Sequence, residues 1–135
     1  FYTVEDRTGD IRGFCVHRSA QVDVGAAEFV VLFARDQDYS APIADEVADF
    51  LMVRAFVQQR LNKLMAQCLD WNRSYRSFLI RSGFESDGVQ REVLYTQGSW
   101  HDLEAFSFFR SAYENRTSRD PEHAWRLVSH GAPMG

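Results

Sequence analysis

A chain of 135 residues, 45% hydrophobic and 14% aromatic, has the length of one domain and enough apolar side chain for a continuous core. Its 15 Lys and Arg against 19 Asp and Glu leave a formal charge of −4, which offers no global attraction for a phosphodiester backbone and argues against nucleic acid as a partner. No apolar run reaches the roughly 18 residues that a membrane-spanning helix needs, no secretory signal opens the chain, and Cys15 and Cys68 lie in apolar runs as buried thiols do, so a cytoplasmic protein with no membrane partner is expected.

Residues 1–5 are rich in β-formers, and the polar turn 6–10 leads to a second strand-like run at 11–17, together a hairpin. Residues 26–33 have the nearly continuous hydrophobicity of a central strand. Ile43, Val47, Phe50, Leu51 and Ala55 then recur at spacings of three and four, which predicts a helix of about four turns ending near Arg60. Residues 64–69 are too few for an isolated helix and read as a buried strand, so a strand–helix–strand crossover is expected. Asp70 or Asn72 caps a second helix that runs through Ser82 and ends at Gly83. Residues 88–95 and 100–109 form a closing hairpin about Thr96-Gln97-Gly98-Ser99. The pattern divides the chain into a domain over 1–113 and a polar tail over 114–135, with one short helix near 122–128. Asn115-Arg116-Thr117 matches a glycosylation acceptor, a three-residue pattern that chance produces often.

The segment Asn72-Arg73-Ser74-Tyr75-Arg76-Ser77-Phe78-Leu79-Ile80-Arg81-Ser82-Gly83-Phe84 resembles the N-x-x-A-x-x-L-Y-x-x-x-G-F segment of the GNAT superfamily, with Asn72, Gly83 and Phe84 matching. Residues 85–92, 97–102 and 106–110 are similar to the closing hairpin of the branch containing ribosomal-protein N-terminal acetyltransferases. The resemblance implies an α/β (α+β) fold, a mixed, mostly antiparallel sheet with helices on both faces. The family's first strand and following helices have no counterpart here, which predicts a missing amino-terminal segment or a homodimer that covers the bare sheet edge. It also implies an acyl-CoA-dependent N-acyltransferase, moving an acetyl group from acetyl-CoA or another acyl-CoA to a primary amine of a peptide or small molecule. The alternative is a non-catalytic binding module with a degenerate CoA site.

The same resemblance implies that the strand at 26–33 and the strand at 64–69 splay apart, leaving main-chain groups of Val31, Leu32 and Phe33 for the pantetheine arm. The pyrophosphate then meets Tyr39, Ser40, Ala41, Ile43, Ala44 and Asp45, with Asn72 also on the cofactor path. The family writes this loop Q/R-x-x-G-x-G/A; here Tyr39 replaces the polar residue and Pro42 the first glycine. Proline has no amide hydrogen, and Asp45 and Glu46 add negative charge, so weakened CoA binding is expected, although Ser40 as cap and Pro42 in a first helical turn are structurally ordinary. Leu79 stands where many relatives carry a proton-donating tyrosine. Ser77 and Tyr75 are the nearest substitutes, read as pointing away from the Leu79 direction. Glu28 is the candidate general base, against the plain alternative of a strand-surface glutamate. His101 and Asp102 are adjacent in a strand and face opposite ways, which disfavours a working pair. His17, His101, His123 and His130 have no metal-ligand spacing, and no metal is expected. Trp100, Phe106, Phe108 and Phe109 read as core before ligand pocket, and Trp71 either lines the cofactor path or shields the sheet end.

Overall fold

The computed structural model describes residues 2–21 and 25–119, without the side chains of 17–21 and 117–119. In chain order the elements are β1 (Tyr2–Glu5), β2 (Ile11–Gln21), β3 (Ala26–Phe33), a 3-10 turn (Asp36–Ser40), α1 (Pro42–Met52), a π-helical turn (Val53–Gln58), β4 (Lys63–Leu69), α2 (Arg73–Ser82), β5 (Glu85–Thr96), β6 (Ser99–Phe109) and α3 (Arg110–Arg119). The strands form one sheet in the order β1-β2-β3-β4-β6-β5. Every neighbouring pair is antiparallel except β3 and β4. Those two are parallel, as the connection through α1 requires.

Period-two alternation decides which face of the sheet is buried. Cys15, Ala27, Phe29, Val31, Leu64, Ala66, Cys68, Phe106 and Phe108 share one core cluster. Their neighbours Phe14, Leu32, Met65 and Phe109 point the other way and are exposed. All three helices pack on the core face: Phe50 of α1 meets Tyr2, Phe78 of α2 meets Phe29, and Tyr113 of α3 stacks on Phe56. The mixed, mostly antiparallel α/β sheet was legible in sequence, but among the described residues the helices cover one face and not both. The α3 helix also falls where a polar tail was expected, held by Tyr113 among aromatic rings. The short helix near 122–128 lies outside the described residues.

Capping explains where the helices begin. Asn72, not Asp70, is the cap of α2: its Oδ1 accepts from the Tyr75 amide at 3.3 Å. Gly83 closes that helix in the left-handed conformation, φ 106°, and Phe84 N–H bonds back to the Leu79 carbonyl at 3.0 Å. Pro42 opens α1 behind Ala41, while Ser40 Oγ donates to the Gln37 carbonyl at 2.9 Å and caps nothing. The helical path predicted to reach Arg60 runs to Gln58, its last turns loosened into the π form. No described helix is long and apolar enough to cross a membrane.

Candidate cofactor cleft

The parallel ladder between β3 and β4 has three rungs, Ala26 to Lys63, Ala27 to Leu64 and Glu28 to Met65. Beyond the third rung the strands part, although β3 continues to Phe33 and β4 to Leu69. This wedge turns main-chain groups of β3 towards a gap with no strand opposite. Buried main-chain groups demand partners, and here tyrosines supply them. Tyr39, carried by the 3-10 turn that follows β3, donates its hydroxyl to the Val31 carbonyl and accepts from the Phe33 amide, both at 3.2 Å. Tyr75, on the core face of α2, takes a hydrogen bond from the Val31 main chain. The two rings meet edge to face at 5.5 Å, and Phe78 packs against both.

Burial raises the Tyr39 hydroxyl above the usual phenol value, partly offset by the Phe33 bond. Burial raises Tyr75 further, partly offset by the Val31 bond. Both hydroxyls therefore keep their protons at neutral pH. The turn carrying Tyr39 is tied on three sides. Arg12 Nη2 reaches the buried Asp38 carboxylate at 2.9 Å, Ser74 Oγ donates to Asp36 at 2.6 Å, and Arg81 Nη2 donates to the Tyr39 carbonyl at 2.6 Å. Arg81 also pairs with Asp45 at 3.1 Å. Beside the turn lies a cavity of about 370 Å³ whose walls include Ser40, Arg73, Ser74, Ser77 and Arg81. Arg73, Ser77 and Arg81 recur every four residues, so one helix face presents them together.

The family model for the acetyltransferase (GNAT) domain matches residues 1–104. This chain belongs to the GNAT acetyltransferase family. No curated protein matches it. Among solved structures, a mutant form of the spermidine N-acetyltransferase SpeG from Vibrio cholerae superposes with a TM-score of 0.75 at 20% identity, over 85% of this chain and 68% of that one. SpeG from the same organism in complex with manganese ions gives 0.74 at 20%, over 85% and 67%. Its dodecameric form in an intermediate state gives the same values. At such identity these likenesses carry the fold, while the family carries acyl-CoA use and acetyl transfer to an amine in general.

Within this GNAT domain the residues singled out in sequence fall into groups. Val31 and Phe33 do offer main chain to the wedge, and Leu32 between them turns its side chain to the open face. Tyr39 lies inside the wedge and not on a phosphate loop surface. Ala44 is fully buried and Ile43 packs on the core, so their side chains face inward; Ser40, Ala41 and Asp45 remain nearer the surface. Asn72 spends its side-chain carbonyl on the helix cap. Tyr75 and Leu79 are four residues apart in α2 and both are buried, so they share a face; the reading that Tyr75 points away from Leu79 is corrected. Ser77 is exposed and lines the cavity outside the wedge.

Glu28 occupies the last β3–β4 rung, on the open face with Met65, where the wedge begins. His101 does not pair with Asp102. Its Nδ1 lies 2.7 Å from Asp70 and its Nε2 3.1 Å from Ser99 Oγ, with Trp71 edge-on at 4.7 Å. Hydrogen bonds from the Asp102 amide and His101 hold the Asp70 carboxyl below its ordinary value. Trp71 is half exposed, and its ring contact with His101 places it beside the Asp70–His101–Ser99 cluster. Among the described residues no group of His, Cys, Asp and Glu is placed to hold a metal.

The wedge fits an acyl-CoA arm in kind: it has a strand edge to pair with and two guanidiniums near a cavity. Its main-chain groups, however, are already satisfied by tyrosine. Sequence reading missed Arg73 and Arg81 on the cavity wall, although their spacing on a helix face was available.

Proposed function

We propose that this chain is an acyl-CoA-dependent N-acyltransferase that moves an acetyl group from acetyl-CoA to a primary amine of a small molecule or peptide, in a cytoplasmic setting. The observation that carries this reading is the three-rung ladder between β3 and β4, which opens a strand edge at Val31 and Phe33. Bound there, the cofactor supplies an acyl thioester, an electrophile for the amine. Val31 and Phe33 hold the arm by main-chain hydrogen bonds, and Arg73 and Arg81 face its phosphates. Glu28, at the start of the wedge on the open face, accepts the proton of the attacking amine. Tyr75, kept protonated by burial and aimed at Val31, holds the proton that relatives keep on the tyrosine replaced here by Leu79. Positioning of the two reactants contributes the larger share of the rate.

We read the segment 72–84 and the closing hairpin as those of the branch that contains ribosomal-protein N-terminal acetyltransferases. The SpeG likeness makes a polyamine the natural small-molecule probe. We further read the bare edge of the sheet at β1 as covered by a second copy of this chain. A second reading, a binding module with a degenerate CoA site, is favoured by the tyrosines that fill the wedge. Calorimetry with acetyl-CoA, followed by thiol release in the presence of spermidine or a short peptide, separates the two. Binding with amine-dependent thiol release supports the enzyme; binding with no release from either amine supports the module.

A further inference from the structure

Resting on the acyltransferase reading, we propose that Tyr39 is a latch: its hydroxyl occupies the Val31 and Phe33 edge until acyl-CoA displaces it, and Arg81 couples that release to the cofactor's phosphates. One hydroxyl is bonded at once to the Val31 carbonyl and the Phe33 amide, the main-chain groups an extended ligand arm needs from this strand. Both sites cannot be taken together, so the arm enters only when the turn at Asp36–Ser40 swings Tyr39 out. Closed and open forms are therefore in competition, and the apparent affinity for the cofactor is the intrinsic affinity reduced by the open fraction.

The strap on the latch is chemically specific. Arg81 Nη2 donates to the Tyr39 carbonyl at 2.6 Å, and the same guanidinium lines the cavity beside the turn. Its other partner is the exposed Asp45. A phosphate in the cavity offers Arg81 a charged, bidentate acceptor in place of a neutral carbonyl, and charge-assisted bonds are the stronger kind. Phosphate binding thereby loosens the strap, and the hydroxyl leaves the strand edge as the arm arrives. The Arg12 to Asp38 pair on the other side of the turn remains as the hinge.

The test is acetyl-CoA and CoA calorimetry on the chain and on Tyr39→Phe, which keeps the ring and removes the hydroxyl. The variant binds about tenfold more tightly, because ordinary hydrogen bonds no longer have to be exchanged for binding. Equal or weaker binding by the variant, with binding by the unaltered chain, overturns the latch and leaves the acyltransferase reading standing. Binding by neither at millimolar ligand overturns that reading itself. A second measurement does not depend on the variant's stability under assay. In the chain labelled with 3-fluorotyrosine, the ¹⁹F resonance of Tyr39, assigned by its loss in Tyr39→Phe, moves on saturation with CoA towards the position of a solvent-exposed tyrosine. A resonance that does not move on saturation overturns the latch. Inorganic pyrophosphate alone shifts the same resonance part of the way; no shift overturns the role of Arg81.

Discussion

Gly13 faces the strand on which the wedge depends. It pairs with Phe33 across β2 and β3, and a Cβ added there meets the Leu32 carbonyl oxygen at 2.1 Å and the Phe33 Cα at 2.9 Å. Carbon and carbonyl oxygen approach no closer than roughly 3.3 Å even in attractive contacts, so Gly13→Ala pushes the β3 main chain by about 1 Å. The obstacle is backbone, which has no rotamer to escape into. Overpacking costs about 1–3 kcal/mol where side chains absorb it, and the upper end, about 3 kcal/mol, applies here. With a urea slope of about 2 kcal/mol/M, the unfolding midpoint falls by about 1.5 M. Gly9→Ala is the control: its φ of 90° strains any side chain, but nothing lies within 4 Å, so about 1–2 kcal/mol is lost and the wedge is untouched. Acetyl-CoA affinity falls with Gly13→Ala, by about tenfold or more for a displacement of this size, and stays level with Gly9→Ala. A Gly13→Ala midpoint equal to wild type, or a smaller drop than Gly9→Ala gives, refutes the geometry.

Tyr75→Phe separates chemistry from binding: kcat falls by about a hundredfold while calorimetric affinity for CoA changes little, because Tyr75 takes the Val31 amide and not the Val31 carbonyl and Phe33 amide that the arm uses. Alkaline pH loosens the fold. Burial pushes the Cys15 thiol up to about 12, from an unfolded value near 9.0, so the unfolded chain loses that proton first. The stabilisation is complete below pH 9 and declines as pH rises towards 12, a fall that circular dichroism melts record and that Cys15→Ala makes shallower.

Most of the fold was legible because it rests on local rules. The three-and-four spacing of Ile43, Val47, Phe50 and Leu51 gave α1 its inward stripe, and Gly83 ended α2 as the only residue type comfortable at its φ. The α3 helix was hidden because its sequence, Arg110 to Arg119, is polar almost throughout; Tyr113 inserted against Phe56 fixes it, and that contact is tertiary. The turn of the closing hairpin is legible in its residues but the start of its first strand is not, since β5 begins at the charged Glu85 and its pairing with β6 shifts register at Ser86/Gly88 and Gln90/Leu94. The site was less legible. Val31 and Phe33 were named from the family pattern, but nothing in the residues 36–44 announces that Tyr39 folds back onto its own preceding strand. That placement follows from the buried Asp38 beside it, which draws Arg12 across from β2 and pins the turn inward. A long-range ion pair of this kind has no sequence spacing to betray it.

Pro42 was the departure that looked most damaging in sequence, and the structure shifts that weight to Tyr39. Proline removes one amide, but Pro42 is the first residue of α1, where an amide has no intrahelical partner; the next free turn is already closed by Ala44 N–H on the Ala41 carbonyl at 3.0 Å. Restoring the family glycine with Pro42→Gly supplies one donor and also frees the backbone, at an entropic cost of about 1 kcal/mol. The two effects nearly cancel. Acetyl-CoA affinity therefore changes by less than about threefold in Pro42→Gly, against about tenfold in Tyr39→Phe, where the exchange involves the Val31 carbonyl and the Phe33 amide together. Calorimetry on the two variants side by side ranks them. If Pro42→Gly gains the more, the phosphate loop limits this site and the strand edge does not.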